Sequence, residues 1–332
     1  MGGDRGPLIT IPAAILAVQN NPQLRLILCG DEEIIYSHLK THLNEDHTRI
    51  SILHCTESVA MDEKPSSALR TKKDSSMRKA LDLVRDGKAQ ACVSAGNTGA
   101  LLLMAHYVLK MLPDIERPAL ISQIPITDSP NHAFMLDLGA NVFCDSNTLF
   151  QFAVMGSVLA EEVDDIERPK IALLNMGEED IKGSDHIKQT ANLLKDHPEL
   201  NYVGFIEGDD IFSGKADVIV CDGFVGNIAL KTCEGVAKLV MKKVLKIINE
   251  SKFTRILGIL LNPTLKKIVK RLNPDQYNGA SLIGLRGIVV KSHGNANKSA
   301  FYNAILEAVK EVERQVPEKI KNKMEQSLLK RS

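Results

Sequence analysis

Two turns of this sequence stand where an anion could be held. Lys182 lies in Asn175-Met-Gly-Glu-Glu-Asp-Ile-Lys-Gly-Ser184, a turn after the apolar run Lys170–Leu174. A lysine in such a turn can neutralise phosphate oxygens or a developing oxyanion. Asn227 closes Asp222-Gly-Phe-Val-Gly-Asn227, directly after the apolar run Val218–Cys221. This order reads as strand, glycine turn and helix start, and free N–H groups at a helix start form a ready anion site. Gly223 and Gly226 let a ligand approach the main chain, and Asn227 adds an uncharged donor.

Three further turns share this design. Ser94–Gly99 offers Gly96, Asn97 and Thr98; Asp137–Asn141 offers Gly139 and Asn141; Ser292–Ala296 offers His293 and Asn295. Each follows a strand-like run. Ligands of open parallel sheets bind beyond the carboxyl ends of the strands, so the spacing predicts these turns at one rim, around one pocket.

Other chemistries lack their residues. There is no G-x-G-x-x-G, P-loop lysine or G-x-S-x-G, and no cysteine sits in a glycine turn as a nucleophile would. Ser76-Met-Arg-Lys79 matches S-x-x-K only formally. His38 and His42 are four apart without the glutamate of a zinc-protease helix. Glu178, Glu179 and Asp180 lack a second ligand cluster, so no metal is expected, and Glu178 and Glu179 read as an acidic helix start. Acyl transfer, if that is the chemistry, must proceed by direct attack of a bound nucleophile.

The elements that must position these turns follow from the pattern. The chain has 332 residues, 44% hydrophobic and 4% aromatic, with Lys+Arg and Asp+Glu both at 41. Zero net charge gives no case for nucleic-acid binding. Six scattered cysteines without C-x-x-C read as small buried hydrophobes of a reducing cytosol. The start lacks a signal-peptide pattern, and no run is long enough to span a bilayer. Strand-like runs alternate with helical ones, with strands near 24–29, 50–54, 89–94, 170–174, 202–206 and 218–221. The pair 119–124 and 132–138, linked by Thr127–Pro130, predicts an antiparallel hairpin. The whole predicts a single α/β domain over 1–332: a layered, mostly parallel sheet flanked by helices.

Two basic stretches stand apart. Residues 64–79 carry Lys64, Arg70, Lys72, Lys73, Arg78 and Lys79, which reads as a solvated loop or as a surface for phosphate or an acidic protein. Residues 252–272 hold six basic residues and no acid. Asn262-Pro263 divides them into a helical hairpin, about 250–274. Ile256, Leu257, Ile259, Leu260 and Leu261 make an apolar tip between cations, which suits anionic lipid; a dimer interface or a helix on the core are the alternatives.

Met1-Gly-Gly-Asp-x-Gly-Pro7, Pro65-Ser-Ser-Ala-Leu-Arg-x-Lys-Lys-x-Ser-Ser-Met77, Ser94–Ala100, Leu136-Asp-Leu-Gly-Ala-Asn141, Asn175–Glu179 with Lys182-Gly183, Asp222–Asn227 and Ser292–Ala296 together resemble the bacterial phosphate acyltransferase (PlsX) family, in order and over nearly the whole chain. The resemblance implies a fold like the phosphotransacetylases and isocitrate dehydrogenases. It implies transfer of a long acyl chain from acyl carrier protein to inorganic phosphate without a cofactor, giving an acyl phosphate for phospholipid synthesis. It also implies a homodimer in the cytoplasm, held peripherally at the inner face of the cell membrane. Phosphate is its own nucleophile, so no catalytic Ser or Cys is required. On this reading Lys182 holds phosphate, Asn227 polarises the thioester carbonyl, and the turns 96–99, 139–141 and 294–297 add donors. The family usually runs an apolar strand into the Met-Gly-Gly-Asp motif. Here the sequence opens at that Met: either the start was assigned late, or a neighbouring strand is expected at an edge.

Overall fold

In the computed structural model the described residues are 1–41, 48–127, 129, 131–179, 181–249 and 278–329. The hairpin expected over about 250–274, with Ile256, Leu257, Ile259, Leu260 and Leu261, lies outside them.

The expected alternation is present. Helix α1 (Pro7–Asn20), strand β1 (Leu26–Gly30), α2 (Glu32–Lys40), β2 (Ile50–His54), α3 (Pro65–Thr71) and α4 (Ser76–Arg85) come first. Then follow β3 (Ala91–Ser94), α5 (Thr98–Leu109), β4 (Ala119–Pro125), β5 (His132–Leu136), α6 (Ser146–Val163), β6 (Lys170–Leu174), α7 (Asp185–Lys195), β7 (Asn201–Ile206) and β8 (Val218–Val220). Helix α8 (Gly223–Asn249), β9 (Ala280–Ile283), β10 (Ile288–Lys291), α9 (Lys298–Glu313) and α10 (Val316–Leu329) complete the order.

Local chemistry accounts for the boundaries. The Asp145 carboxylate accepts from Thr148 N at 2.8 Å and starts α6, and Asn97 and Asn297 cap α5 and α9 in the same way. Helix α6 is apolar on every side because it is covered on every side. Leu149, Phe150, Phe152 and Met155 join Phe134, Ile171, Val218 and Val220 of the sheet in the main core. Burial of this aliphatic and aromatic surface is the principal stabilising term.

The main sheet has eight strands in the order β3-β10-β9-β4-β5-β8-β6-β7. Four neighbouring pairs are parallel: β3/β10, β5/β8, β8/β6 and β6/β7. The hairpin of β4 and β5 is antiparallel, as its short link requires. The pairs β10/β9 and β9/β4 are antiparallel as well. Strands β1 and β2 form a separate parallel ribbon. A cavity of about 1000 Å³, lined by Leu24, Leu26, Leu28, Cys92, Val93 and Phe301 among others, lies between that ribbon and the edge strand β3.

This topology corrects the expectation of a single rim. Between β10 and β5 the chain direction reverses at β10/β9, β9/β4 and β4/β5. An odd number of reversals leaves β3 and β10 pointing opposite to β5, β8 and β6. The turns after β3 and β10 therefore leave one edge of the sheet, and those after β5, β6 and β8 leave the other. The sequence does not reveal this, because a strand's direction depends on its partners and not on its own residues.

Candidate active site

The first group of turns is organised by a residue that sequence reasoning left out, Asp137. It is fully buried directly after β5. Its Oδ1 accepts from the N–H groups of Leu120 (3.0 Å), Gly139 (3.2 Å) and Ala140 (3.0 Å). Its Oδ2 accepts from Asn141 N (2.7 Å) and Asn141 Nδ2 (2.9 Å). Burial raises the pKa of this carboxyl, and these N–H donors oppose the rise. The signal for Asp137 was its place inside the Asp-Leu-Gly-Ala-Asn turn; that its carboxylate would fold back to gather the turn is a tertiary fact.

This arrangement changes the role of Gly139 and Asn141. Their main-chain donors point inward to Asp137, and the Asn141 side chain also donates to Pro118 O at 2.7 Å. They are the socket of α8 rather than donors to a ligand. Gly223 N donates to Asn141 O at 2.8 Å. A Cβ on Gly226 would collide with the Asp137 carbonyl oxygen, so glycine is required by close backbone approach. Asp222 accepts from Val225 N at 2.8 Å through its side chain and from Gly226 N at 2.9 Å through its carbonyl. The start of α8 is thus largely self-capped, against the sequence expectation of a row of free N–H groups.

Asn227 is left presented on this socket. A Cβ on Gly139 would lie 3.5 Å from both Cβ and Oδ1 of Asn227. The amide is exposed and, among the described residues, has no hydrogen-bond partner. Lys182 lies in the turn after β6, the neighbour of β8. Its ammonium is exposed and meets Glu179 at 2.9 Å, and that pairing raises its pKa. Asn175 Nδ2 donates to Gly177 O and Lys182 O and folds the turn. No hydrogen bond or ion pair joins Lys182 to Asn227 among the described residues. Val142, Phe143, Met176, Ile181, Phe224 and Val225 are exposed on the turns at this edge.

The second group lies at the opposite edge. Gly2 packs on Gly96, where a Cβ would stand 2.7 Å from the Gly96 Cα, and Asp4 N donates to Gly294 O at 2.8 Å. Asn97 is consumed structurally: Nδ2 donates to the carbonyls of Ala60, Met61 and Glu63, and Oδ1 caps α5. Gly96 N donates to Ser94 Oγ. Thr98 and Asn295 are exposed, and His293 faces Glu234 of α8 at 3.8 Å. The sequence places Gly96, Asn97, Thr98, His293 and Asn295 beside Lys182 and Asn227. The structure instead connects the two groups through α8, which carries Asn227 in its first turn and Glu234 two turns on.

All six cysteines are free, and burial raises every one of their pKa values, to about 12 for Cys29, Cys92 and Cys144. None is a thiolate at neutral pH, so none is poised as a nucleophile. Among the described residues no three His, Cys, Asp or Glu side chains converge as a metal site would.

Comparison with known proteins places this chain in a family. The model of the fatty acid synthesis protein family matches residues 1–319. The chain is 66% identical to a phosphate acyltransferase of Colwellia psychrerythraea over 98% of its own length and 95% of that protein. It is 54% identical to a phosphate acyltransferase of Shewanella halifaxensis, over 99% and 96%. A phosphotransacetylase of Streptococcus pyogenes has the same fold, with a TM-score of 0.59 at 18% identity over 92% of this chain and 91% of that one. The EutD phosphotransacetylase of Staphylococcus aureus follows at 0.55 and 16%, over 92% and 99%. With a model spanning nearly the whole chain and relatives alike from end to end, this chain belongs to the fatty acid synthesis protein family.

Proposed function

We propose that the chain is an acyltransferase that moves a long acyl group from the thioester of acyl carrier protein to inorganic phosphate. Full-length identity to phosphate acyltransferases supports the activity. The observation that carries the mechanism is the exposed Asn227 amide on a helix start locked by Asp137, beside a turn that bears an exposed lysine. A phosphate oxygen attacks the thioester carbonyl carbon and the C–O bond forms. The tetrahedral oxyanion collapses, the C–S bond breaks, and the thiolate leaves and takes a proton from solvent. Asn227 donates to the oxyanion, and Lys182 exchanges Glu179 for phosphate and offsets its charge. No step uses a thiol of the protein, in keeping with six raised cysteines.

The apolar rim of Val142, Phe143, Met176, Ile181 and Phe224 fits a long acyl chain better than an acetyl group. The exposed row Val236, Leu239, Val240 and Ile247 along α8 supports a homodimer, since a solvated helix face rarely carries so many large aliphatics. No described helix is long and apolar enough to cross a membrane. Residues 252–272, basic with an apolar tip, are proposed to touch anionic lipid from the cytoplasmic side.

The test is direct. Purified protein, acyl carrier protein thioester and labelled phosphate are mixed, and label is sought in acyl phosphate. Equal turnover of acetyl-coenzyme A, or no labelled product, would defeat the reading. Sedimentation with anionic but not neutral vesicles tests the lipid contact.

A further inference from the structure

Lys291 ends β10, and the mechanism above does not use it. The residue is more than nine-tenths buried. Its ammonium donates to the carbonyl of Ser292, a neutral acceptor, and among the described residues no carboxylate lies within ion-pair distance. The charged neighbours are Lys231 of α8 and Asp4 of the N-terminal loop. Lys231 is itself paired with Glu234 at 3.0 Å, and Glu234 faces His293. Lys231 lies one turn beyond Asn227, on the same side of α8. A buried ammonium with an incomplete set of acceptors, next to a second ammonium, is an unfavourable arrangement without an anion.

We propose that Lys291, together with Lys231 of α8, forms a subsite for the phosphate dianion where β10 ends near α8. The proposal rests on the acyltransferase reading and assigns a phosphate contact to a residue outside the turns that the sequence pointed to. Packing favours a small oxyanion. Gly2 sits on Gly96 and Gly3 on Gly294, where added Cβ atoms would stand 2.7 Å and 3.1 Å from main-chain atoms, so these loops admit no bulky ligand. Three helices, α1, α5 and α9, begin at these loops, and their dipoles favour negative charge there.

Burial, then the Lys231 ammonium, lowers the Lys291 pKa to about 8, with Asp4 opposing. Phosphate bound beside it restores the charged form. Binding of phosphate above this pH therefore takes up a proton, and affinity declines as pH rises.

The experiment uses the full chain and inorganic phosphate. Calorimetric titrations in buffers of different ionisation enthalpy, from about pH 7 to pH 9.5, give the dissociation constant and the proton uptake. For the wild type the constant is expected to rise with pH above about 8, approaching roughly tenfold per pH unit as proton uptake approaches one. Lys291→Met is expected to weaken phosphate by roughly ten- to a hundredfold and to abolish the uptake, with Lys291→Arg restoring much of the affinity. Folded Lys291→Met that binds phosphate as the wild type does would overturn the proposal. A flat wild-type profile without proton uptake would do so as well, even if the variant fails to fold. Loss of acyl phosphate synthesis by the wild type itself would instead defeat the underlying reading.

Discussion

The Asp137 carboxylate receives both the main-chain and the side-chain N–H of Asn141, at 2.7 and 2.9 Å, and Asn141 in turn accepts from Gly223 at the start of α8. One buried charge thus fixes the direction in which α8 presents Asn227.

Asp137→Asn keeps the shape but replaces one acceptor with a donor that faces donors. It is expected to cost about 3 kcal/mol of stability, and to lower kcat more than it changes the KM for phosphate. Urea unfolding and steady-state kinetics of the same preparation check both parts.

Gly226→Ala places a methyl group against the Asp137 carbonyl oxygen, a main-chain atom that cannot rotate away. The start of α8 must shift, at a cost of about 1–3 kcal/mol or more. Activity is expected to fall further than stability, because Asn227 is the next residue; thermal melts set beside turnover numbers test the split.

Lys182 is exposed and its ion pair with Glu179 is at the surface. Lys182→Ala should leave the melting temperature unchanged while acyl phosphate formation falls by roughly a hundredfold. Unchanged synthesis would remove Lys182 from the mechanism.

Glu311 is buried against Ser281, whose hydroxyl meets its Oε1. Burial, then the neighbouring Glu307 carboxylate, raises its pKa to about 8. The folded state therefore holds a proton that the unfolded chain releases between its ordinary carboxylate value and about 8. Stability from this group is complete at low pH and is lost as pH rises through that window. Melting temperatures of the wild type should decline from about pH 5 to pH 8, and Glu311→Gln should flatten the decline.

Leu239→Asp together with Val240→Glu charges the exposed row of α8. The pair is expected to convert a dimer to a monomer in sedimentation velocity without loss of helix signal; a sedimentation coefficient equal to that of the wild type would remove this face from the interface.

The alternation of apolar runs with glycine and asparagine turns was enough to place the strands and helices, because burial and turn chemistry act over a few neighbouring residues. Val218–Val220 and the hairpin of β4 and β5 follow from local pattern. The motif order also carried the family. Strand direction was not legible in the same way. Of the three reversals between β10 and β5, the one at β9/β4 joins residues more than 100 positions apart, such as Leu120 with Leu282, which no local pattern shows.

The sequence by itself determined which residues could serve acyl transfer and that no cysteine need take part, since side-chain chemistry is written residue by residue. Only the tertiary structure decided which donors are spent on the fold and which face outward. Asn97, Gly139 and Asn141 look like ligand donors in sequence but satisfy the carbonyls of Ala60, Met61 and Glu63 or the Asp137 carboxylate. Asn227 stays presented, and Lys291, an ordinary strand residue by its neighbours, becomes a buried cation. A hydrogen-bonding group is committed or available only through what packs around it, and that is set by contacts the linear order does not contain.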